Sequence, residues 1–346
     1  MPAMLPTILI IAFLSLPLAA QDPVPLPQDE IPAMFLSKTP PEGLPKVIPH
    51  PTGTPPTPAR AQLGRRLFFD PILSIDRKVS CASCHDPRFG FSRPEALPRG
   101  VNGKTAARNA PTLLNRAFGK FNSWDGRAAT LEKQVLLPIE NPLEMDLPLE
   151  TALSRLKNEP SYATEFAQAF DKGLNRTNLA RALSLFIRTL TLGNSPVDRF
   201  RSGEVTAMTP SERAGFWIYE SKGRCWRCHS GPNFTDESFH NTGVGALDKT
   251  PQEGRQAITY NLHDRGRFKT PTLRGLTFTA PYMHDGSLTT LEQVVAFYRR
   301  GGTPNTHVDP VLKPLDLDDN DAANLVAFLK SLSATPPAKK DPTQGR

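Results

Sequence analysis

Cysteine is scarce in this chain of 346 residues: there are four, all within two C-x-x-C-H pentads, so at most two disulfides can form. No hydrophobic run favours a transmembrane helix, because the longest one, near the N-terminus, is short and interrupted by proline. Alternation typical of strands is scarce. No nucleic-acid-binding module is recognisable, so the net charge of +7 does not by itself indicate a nucleic-acid partner.

The two pentads predict the chemistry of the chain. They consist of Cys81, Cys84 and His85, and of Cys225, Cys228 and His229. Cysteines at positions i and i+3 of a helix share a face, so both can reach the vinyl groups of one haem while the adjacent histidine meets the iron. Two disulfides or a zinc site are the alternatives, but neither explains the histidine that ends both pentads. The pattern therefore predicts two covalently attached c-type haems.

The opposite face of each iron decides between electron transfer and reaction with a small molecule. Histidine is absent from residues 86–228, and only Met145 and Met208 are methionines there, so the first haem has few local ligands. Histidines from elsewhere remain as alternatives: His50, His240, His263, His284 and His307. Glu140 and Glu144, in PIENPLEMD, are either solvated loop carboxylates or groups that move a proton on bound peroxide.

Two residues compete for the second haem. Met283 is the only methionine after Cys225. Tyr298 lies on a predicted helix over 290–300, which Thr290 and Gln293 begin as a capping box. Leu291, Val294, Val295 and Tyr298 share one face of that helix, so the tyrosine points inward, either as an iron ligand or as an ordinary core residue.

Helical periodicity recurs along the chain, in PARAQLGRRLFF, NLARALSLFIRTL, TPSERAGFWIYES and DNDAANLVAFLKSLS. The sequence therefore predicts an all-α fold with long loops. Because each part carries one pentad, it also predicts two haem-bearing domains, at 59–200 and 201–334.

The two ends of the chain are expected to lie outside these domains. Residues 1–20 predict a secretory signal cleaved near Ala20, with an uncleaved anchor as the alternative. Residues 21–58 are rich in proline and predict an extended leader or linker. Residues 335–346 predict a disordered tail.

Segments between 56 and 333 resemble the bacterial di-haem cytochrome c peroxidase family. They are LGRRLFFDPILS, SCASCH, RNAPTLLN, FNSWDGRAATLEKQ, PIENPLEM, GRCWRCH, FKTPTLRGLTFTAPYMHDGSLTTLEQVV and NLVAFLKSLS. The resemblance implies two cytochrome-c-like domains with a calcium ion between them. It also implies a peroxide site at the N-terminal haem and an electron-transfer haem in the C-terminal domain.

The same resemblance assigns roles to single residues. His85 and His229 become the proximal iron ligands, Glu144 the distal acid and base with Gln134 beside it, and Trp124 an electron relay between the haems. Calcium would be bound by Asn109 and by the backbone carbonyls of Thr279 and Pro281.

Two departures from the family pattern are visible. Members often place a histidine over the N-terminal haem from the loop after the first pentad, but here that loop, FGFSRPEALPRGVNGKTAA, has none, which predicts a site already open to peroxide. Tyr298 stands where members usually carry a methionine ligand. A tyrosine there is similar to the methylamine dehydrogenase maturation branch, which oxidises tryptophans of a partner protein through a high-valent iron state.

The sequence thus predicts a periplasmic di-haem peroxidase that reduces hydrogen peroxide with electrons from a small cytochrome or copper protein. The alternatives are a maturation-type oxidase of a protein substrate and a non-catalytic electron-transfer cytochrome. Three basic residues beside the second pentad, Lys222, Arg224 and Arg227, are either a steering surface for an acidic donor or an ordinary solvated face. The resemblance also makes a homodimer an expectation.

Overall fold

The computed structural model describes residues 40–53 and 55–333, which all belong to one compact unit. The predicted signal peptide, most of the leader and the predicted tail lie outside the described residues. Residues 40–53 form turns and extended chain, as expected for a leader. None of the helices in the described part is both long and apolar enough for a membrane span.

The described chain is mostly helical, which confirms the predicted fold class. Its α-helices are α1 Pro58–Phe69, α2 Cys81–Cys84, α3 Leu131–Gln134, α4 Leu137–Glu140, α5 Leu149–Lys157, α6 Pro160–Ala169, α7 Arg176–Thr189, α8 Pro196–Arg201, α9 Pro210–Glu220, α10 Gln256–Thr259, α11 Leu291–Arg299 and α12 Asp319–Ser331. Two short strands, β1 Phe239–His240 and β2 Phe268–Lys269, pair antiparallel. Single 3₁₀ turns connect many of these elements.

The N-terminal core forms where α1 packs against α7. Proline at the start of α1 has no N–H to leave unpaired, and the Thr57 hydroxyl caps this helix by accepting from the Arg60 N–H. Helix α1 buries Leu63, Leu67 and Phe68, and α7 buries its own apolar stripe, as the periodicity predicts. This cluster of buried residues extends from Leu63 to Leu190.

The C-terminal core repeats this arrangement with α9 and α12. Thr209 and Asp318 each begin their helix with a capping box. The buried side of α12 includes Leu325, Phe328 and Leu329. This second cluster extends from Val197 to Leu332, so we call residues 58–192 the N-terminal half and 196–333 the C-terminal half.

Each helix pair crosses at a glycine. A Cβ atom at Gly64 of α1 would lie 1.9 Å from the carbonyl oxygen of Ala182 in α7. A Cβ atom at Gly215 of α9 would lie at the same distance from the carbonyl oxygen of Asn324 in α12. Backbone therefore meets backbone at both crossings, and any side chain would separate the helices.

The loops after the pentads also repeat, at an offset of 160 residues. Pro111 corresponds to Pro271, and the matching positions further on carry Asp125 and Asp285, Gly126 and Gly286, Thr130 and Thr290, and Leu131 and Leu291. The β-bridge between Asn122 and Ala128 has its counterpart between Tyr282 and Leu288. The halves are thus two copies of one local plan, whereas their division into separate domains at residue 200 stays a prediction.

Candidate functional site

The first pentad forms a short helix. Cys81 and Cys84 are the ends of α2, so the two thiols lie one helical turn apart, as predicted. The Nδ1 atom of His85 lies 3.0 Å from the carbonyl oxygen of Phe91. Burial lowers the pKa of His85, so the neutral ring donates from Nδ1 and keeps the Nε2 lone pair for a metal.

The second pentad has the same chemistry on a different backbone. Cys225–Arg227 is a 3₁₀ turn rather than an α-helix, which corrects the helical geometry expected for this pentad. The Nδ1 atom of His229 lies 3.1 Å from the carbonyl oxygen of Phe234. Burial lowers the pKa of His229 to about 4, so its Nε2 is also available as a ligand atom.

The four cysteines fit thioether attachment of haem. All four are free thiols in the described structure, which does not contain the disulfides that were the alternative. A cavity of about 270 Å³ opens beside the second pentad. Its wall includes Cys225, Cys228 and His229, so both attachment sulfurs and one axial ligand line the same space.

Tyr298 lines this cavity, as does its rival Met283. The prediction for α11 is confirmed: Thr290 and Gln293 form the capping box, and the face with Leu291 and Val295 forms cavity wall. The Tyr298 hydroxyl has no hydrogen-bond partner among the described residues. Burial raises the pKa of this hydroxyl. A tyrosine that is an ordinary core residue usually satisfies its hydroxyl, so the geometry fits a ligand better.

The equivalent position in the N-terminal half is Pro138. There the helix that corresponds to α11 ends early, as α3, and a second short helix, α4, follows. The chain then turns at Asn141 and presents Glu144. The two halves therefore differ at one decisive place, since proline has no side-chain atom that can bind iron and tyrosine has one.

Glu144 lies near the first pentad. Burial raises the pKa of Cys84 to about 12, and the negative charge of Glu144 adds to that rise. Burial also raises the pKa of Glu144 itself, against the opposing effects of a hydrogen bond from Asn141 and the charge of Arg127. The other candidate, Glu140, is exposed and accepts the Leu149 N–H at the start of α5, so it is a capping residue.

Gln134 is oriented by one hydrogen bond. The Ser123 hydroxyl donates to Gln134 Oε1 at 2.7 Å, which leaves the amide Nε2–H groups of Gln134 as donors for another molecule. Ser123 directly precedes Trp124, so the same loop orients the predicted relay and the predicted partner of Glu144.

Trp124 lies where the two halves meet. Its indole N–H donates to the Asn109 carbonyl at 2.8 Å. The Lys269 N–H donates to the Trp124 carbonyl at 2.7 Å, and in the equivalent contact the Asn109 N–H donates to the His284 carbonyl at 2.9 Å. The Trp124 and His284 rings meet edge to face, 6.4 Å between centroids.

The predicted calcium ligands lie along the same cavity. Asn109, Thr279 and Pro281 all line it. The Asn109 Nδ2–H groups donate to the carbonyls of Glu95 and Ala96, which leaves Oδ1 without a donor among the described residues. Amide and carbonyl oxygens are ligands that calcium prefers, so these residues fit the predicted site. The calcium ion itself stays a prediction.

Of the remaining histidines, His240 and His284 line the cavity beside the second pentad. His50 is exposed beside Arg188 and Glu132, His240 lies between Asp236 and Asp309, and His284 stacks on Phe268. His263 is exposed and His307 is half-buried, each in a turn that begins at an asparagine. In the described structure these five side chains make their contacts away from Cys81 and Cys84.

The sequence reasoning missed a buried charged cluster between the halves. Arg116 binds Glu237 through two hydrogen bonds, of 2.8 and 3.3 Å, and the Lys269 ammonium lies 3.6 Å from the same carboxylate. Burial lowers the pKa of Lys269 to about 7. The 160-residue repeat was the signal that could have identified Lys269. In this repeat Lys269 corresponds to Asn109, and His284 corresponds to Trp124.

Comparison with known proteins places these features in one family. Residues 58–206 match the family model described as di-haem cytochrome c peroxidase. The chain is 39% identical to the methylamine utilization protein MauG of Methylorubrum extorquens over 296 residues, which are 85% of this chain and 84% of that protein. It is 36% identical to the cytochrome-c peroxidase IdrP2 of Denitromonas iodatirespirans over 306 residues, 80% and 82% of the two chains.

A solved structure agrees with these relatives. The crystal structure of a MauG-like protein associated with microbial copper homeostasis superposes with a TM-score of 0.78 at 31% identity, covering 84% of this chain and 95% of that one. The family carries two c-type haems, in accord with the two pentads. The chain therefore belongs to the di-haem cytochrome c peroxidase family and is an oxidoreductase of that family.

Proposed function

We propose that the protein is a periplasmic peroxidase that reduces hydrogen peroxide to water at the haem held by His85. The observation that carries this proposal is the contrast between Pro138 and Tyr298 at equivalent positions of the two halves. The N-terminal half offers no ligand at that position and presents Glu144 instead. The C-terminal half presents a tyrosine hydroxyl, which suits a site that transfers electrons without binding substrate.

The haem iron supplies the redox chemistry, so that one hydrogen peroxide, two electrons and two protons give two waters. Glu144 moves a proton: its carboxylate accepts one from the peroxide oxygen nearer the iron and returns it to the leaving oxygen. Burial raises the pKa of Glu144 above its ordinary value, which makes the protonated form easier to reach than in a solvated carboxylate. Gln134 orients the peroxide through its Nε2–H donors.

Cys225, Cys228 and His229 would hold the haem that takes up the donor's electrons, and Trp124 would relay them to the first site. The position of Trp124 between the halves supports this route. Asn109, Thr279 and Pro281 would hold calcium beside the relay, and its positive charge would help to fix the loops around Trp124.

The electron donor is a small cytochrome or copper protein that docks beside the second pentad. Trp226, between the two cysteines, is exposed there. Two of the three basic residues proposed for steering are engaged within the chain, because Lys222 pairs with Asp321 and Arg224 donates to the carbonyls of Lys313 and Pro314. Arg227 is left as the basic side chain that would meet an acidic donor.

The test is peroxide turnover by the haem-loaded protein with Glu144→Gln. The amide keeps the shape of the side chain but cannot take up a proton, so turnover is expected to fall about 10²- to 10⁴-fold. Glu140→Gln is the matched control and is expected to retain the parental rate, since Glu140 caps α5. Equal rates in the parent and Glu144→Gln would contradict the proposal, and negligible rates in both would favour a simple electron carrier.

Tyr298 favours a second candidate function, the oxidation of side chains in a partner protein. The likeness to MauG and the position of the Tyr298 hydroxyl in the cavity both support it. An anionic oxygen ligand stabilises more oxidised iron than a methionine sulfur does. The protein would then use peroxide to remove electrons from a protein substrate rather than from a small donor.

A further inference from the structure

The loop that presents Glu144 is organised by a single residue, Asn141. Its N–H donates to the Leu137 carbonyl and ends α4, while its own carbonyl accepts the N–H groups of Glu144 and Asp146, each at 3.0 Å. The Val101 N–H holds the loop from outside by donating to the Glu144 carbonyl at 2.8 Å. The backbone around Glu144 is thus fixed on both sides.

The side chain of Asn141 completes this arrangement. Its Oδ1 accepts the Leu143 N–H at 3.0 Å in an Asx turn. That bond requires the oxygen, so the amide nitrogen must point the other way. Nδ2 then donates to Glu144 Oε1 at 2.6 Å, the one hydrogen bond that the Glu144 carboxylate receives from the described residues. The second oxygen, Oε2, is left for a substrate.

Few other charges face Glu144. Arg127 is the cation whose charge lowers the pKa of Glu144, and it is paired with Asp125. Cys81 and Cys84 are also close, but as haem thioethers they would carry no charge. Among the described residues, the balance between the neutral and the ionised form of Glu144 therefore depends on burial, the Asn141 donor and the Arg127 charge.

We propose that Asn141 is a positioning residue, which aims Oε2 of Glu144 at the peroxide and sets the proton affinity of this carboxyl through the Nδ2–H···Oε1 hydrogen bond. A donor of this kind stabilises the carboxylate and does nothing for the neutral acid. It opposes burial and keeps Glu144 able both to accept and to release a proton during turnover. The inference rests on the proposed function of Glu144.

Asn141→Asp is the sharpest test. Aspartate keeps the shape, the cap of α4 and the acceptor for the Leu143 N–H, but it replaces the donor with an oxygen. Asn141→Leu removes the same donor without adding a charge. In both variants the pKa of Glu144 is expected to rise by about one unit or more, because one pH unit corresponds to ~1.4 kcal/mol and a hydrogen bond to a charged group is typically worth that much.

Two readouts follow the same titration. The first is the carboxylic acid stretch of Glu144 in infrared difference spectra against pH, assigned by its loss in Glu144→Gln and independent of turnover. The second is the acid limb of kcat/KM for peroxide, which is expected to move to higher pH by the same amount, so that turnover below the limb falls about tenfold. Thermal unfolding of Asn141→Asp is expected to match the parent at a pH low enough for Glu144 to be protonated in both proteins.

The outcomes separate the two proposals. If both readouts shift upwards in both variants, Asn141 sets the protonation of Glu144. If Asn141→Asp titrates like the parent in the infrared spectra, the role is only that of an Asx turn and the inference is wrong, whatever the turnover. If Glu144→Gln keeps full turnover while the infrared shift is present, the inference about Asn141 stands and the proposed role of Glu144 in peroxide reduction fails.

Discussion

At the scale of single residues, neutral hydrogen bonds orient the groups that are proposed to do chemistry. Glu144 receives the Asn141 amide, and Gln134 receives the Ser123 hydroxyl. Tyr298 is different, because its hydroxyl faces the cavity with no partner among the described residues. A hydroxyl that faces a cavity without a protein partner is available to a ligand, so Tyr298 is where a substitution should be most informative.

Tyr298→Met distinguishes the two candidate functions. Methionine is neutral and soft, so it should raise the potential of the second haem and remove its preference for more oxidised states. After one equivalent of peroxide, the parent is expected to hold its altered absorbance spectrum for longer than the variant, whereas cyanide binding at the first haem should be equal in both. Met283→Leu serves as the control for the rival ligand. If Tyr298→Met behaves like the parent and Met283→Leu does not, Met283 is the ligand.

At the scale of secondary-structure elements, each half depends on one helix crossing at a glycine. The α9–α12 contact buries Ile218 and Tyr219 against Phe328 and Leu329, and Gly215 permits the close approach. The α1–α7 contact has the same geometry at Gly64. Each pentad comes after the first helix of such a pair along the chain and packs against that helix, so the crossing helps to position the haem-binding histidine.

Gly215→Ala is expected to destabilise the protein, although alanine is the better helix former. A methyl group 1.9 Å from the Asn324 carbonyl must push α9 and α12 apart, and overpacking of this kind typically costs about 1–3 kcal/mol. Denaturant unfolding of the haem-loaded protein measures the loss. Gln62→Ala, on the exposed side of α1, should change stability little. A Gly215→Ala variant as stable as the parent would show that the crossing is loose.

At the scale of the whole molecule, the halves are joined by polar contacts that surround Trp124. They are the backbone hydrogen bonds from Lys269 to Trp124 and from Asn109 to His284, and the ion pairs of Glu237 with Arg116 and Lys269. Burial raises the pKa of Glu237, but Arg116 and then Lys269 outweigh burial and hold that pKa below its ordinary value. A carboxylate with a lowered pKa stabilises the folded protein above its unfolded pKa of about 4.3, and that stability is lost as the pH falls through the folded pKa.

Glu237→Gln should therefore destabilise the protein near pH 6–7, and this difference should shrink as the pH falls below about 4.3 and through the lower folded pKa of Glu237. Removing the carboxylate leaves the Arg116 guanidinium buried without its counter-charge, which typically costs about 3–5 kcal/mol. Unfolding free energies measured from pH 3 to 7 test this. The exposed pair of Arg199 and Glu204 provides the control, since Glu204→Gln should cost no more than about 1 kcal/mol. If the difference in unfolding free energy between the parent and Glu237→Gln did not depend on pH, the charge of Glu237 would not be what joins the halves.

Local patterns in the sequence were enough to predict much of this arrangement. The pentads predict the haem sites, and the periodicity of α1, α7, α11 and α12 predicts which of their faces are buried. The cluster around Glu237 could not be found that way, because Arg116 is 121 residues from Glu237 and no local period links them. The backbone of the second pentad also escaped prediction, since a 3₁₀ turn and an α-helix both bring the two cysteines together.

The contrast between the halves is the central claim, and electron paramagnetic resonance of the air-oxidised, haem-loaded protein tests it most directly. An iron with an open face is high-spin, and one with two strong protein ligands is low-spin. The account predicts one high-spin ferric signal, from the haem held by His85 opposite Glu144, and one low-spin ferric signal, from the haem held by His229 and Tyr298. Two low-spin signals would contradict the account, because they would mean that another residue closes the first site.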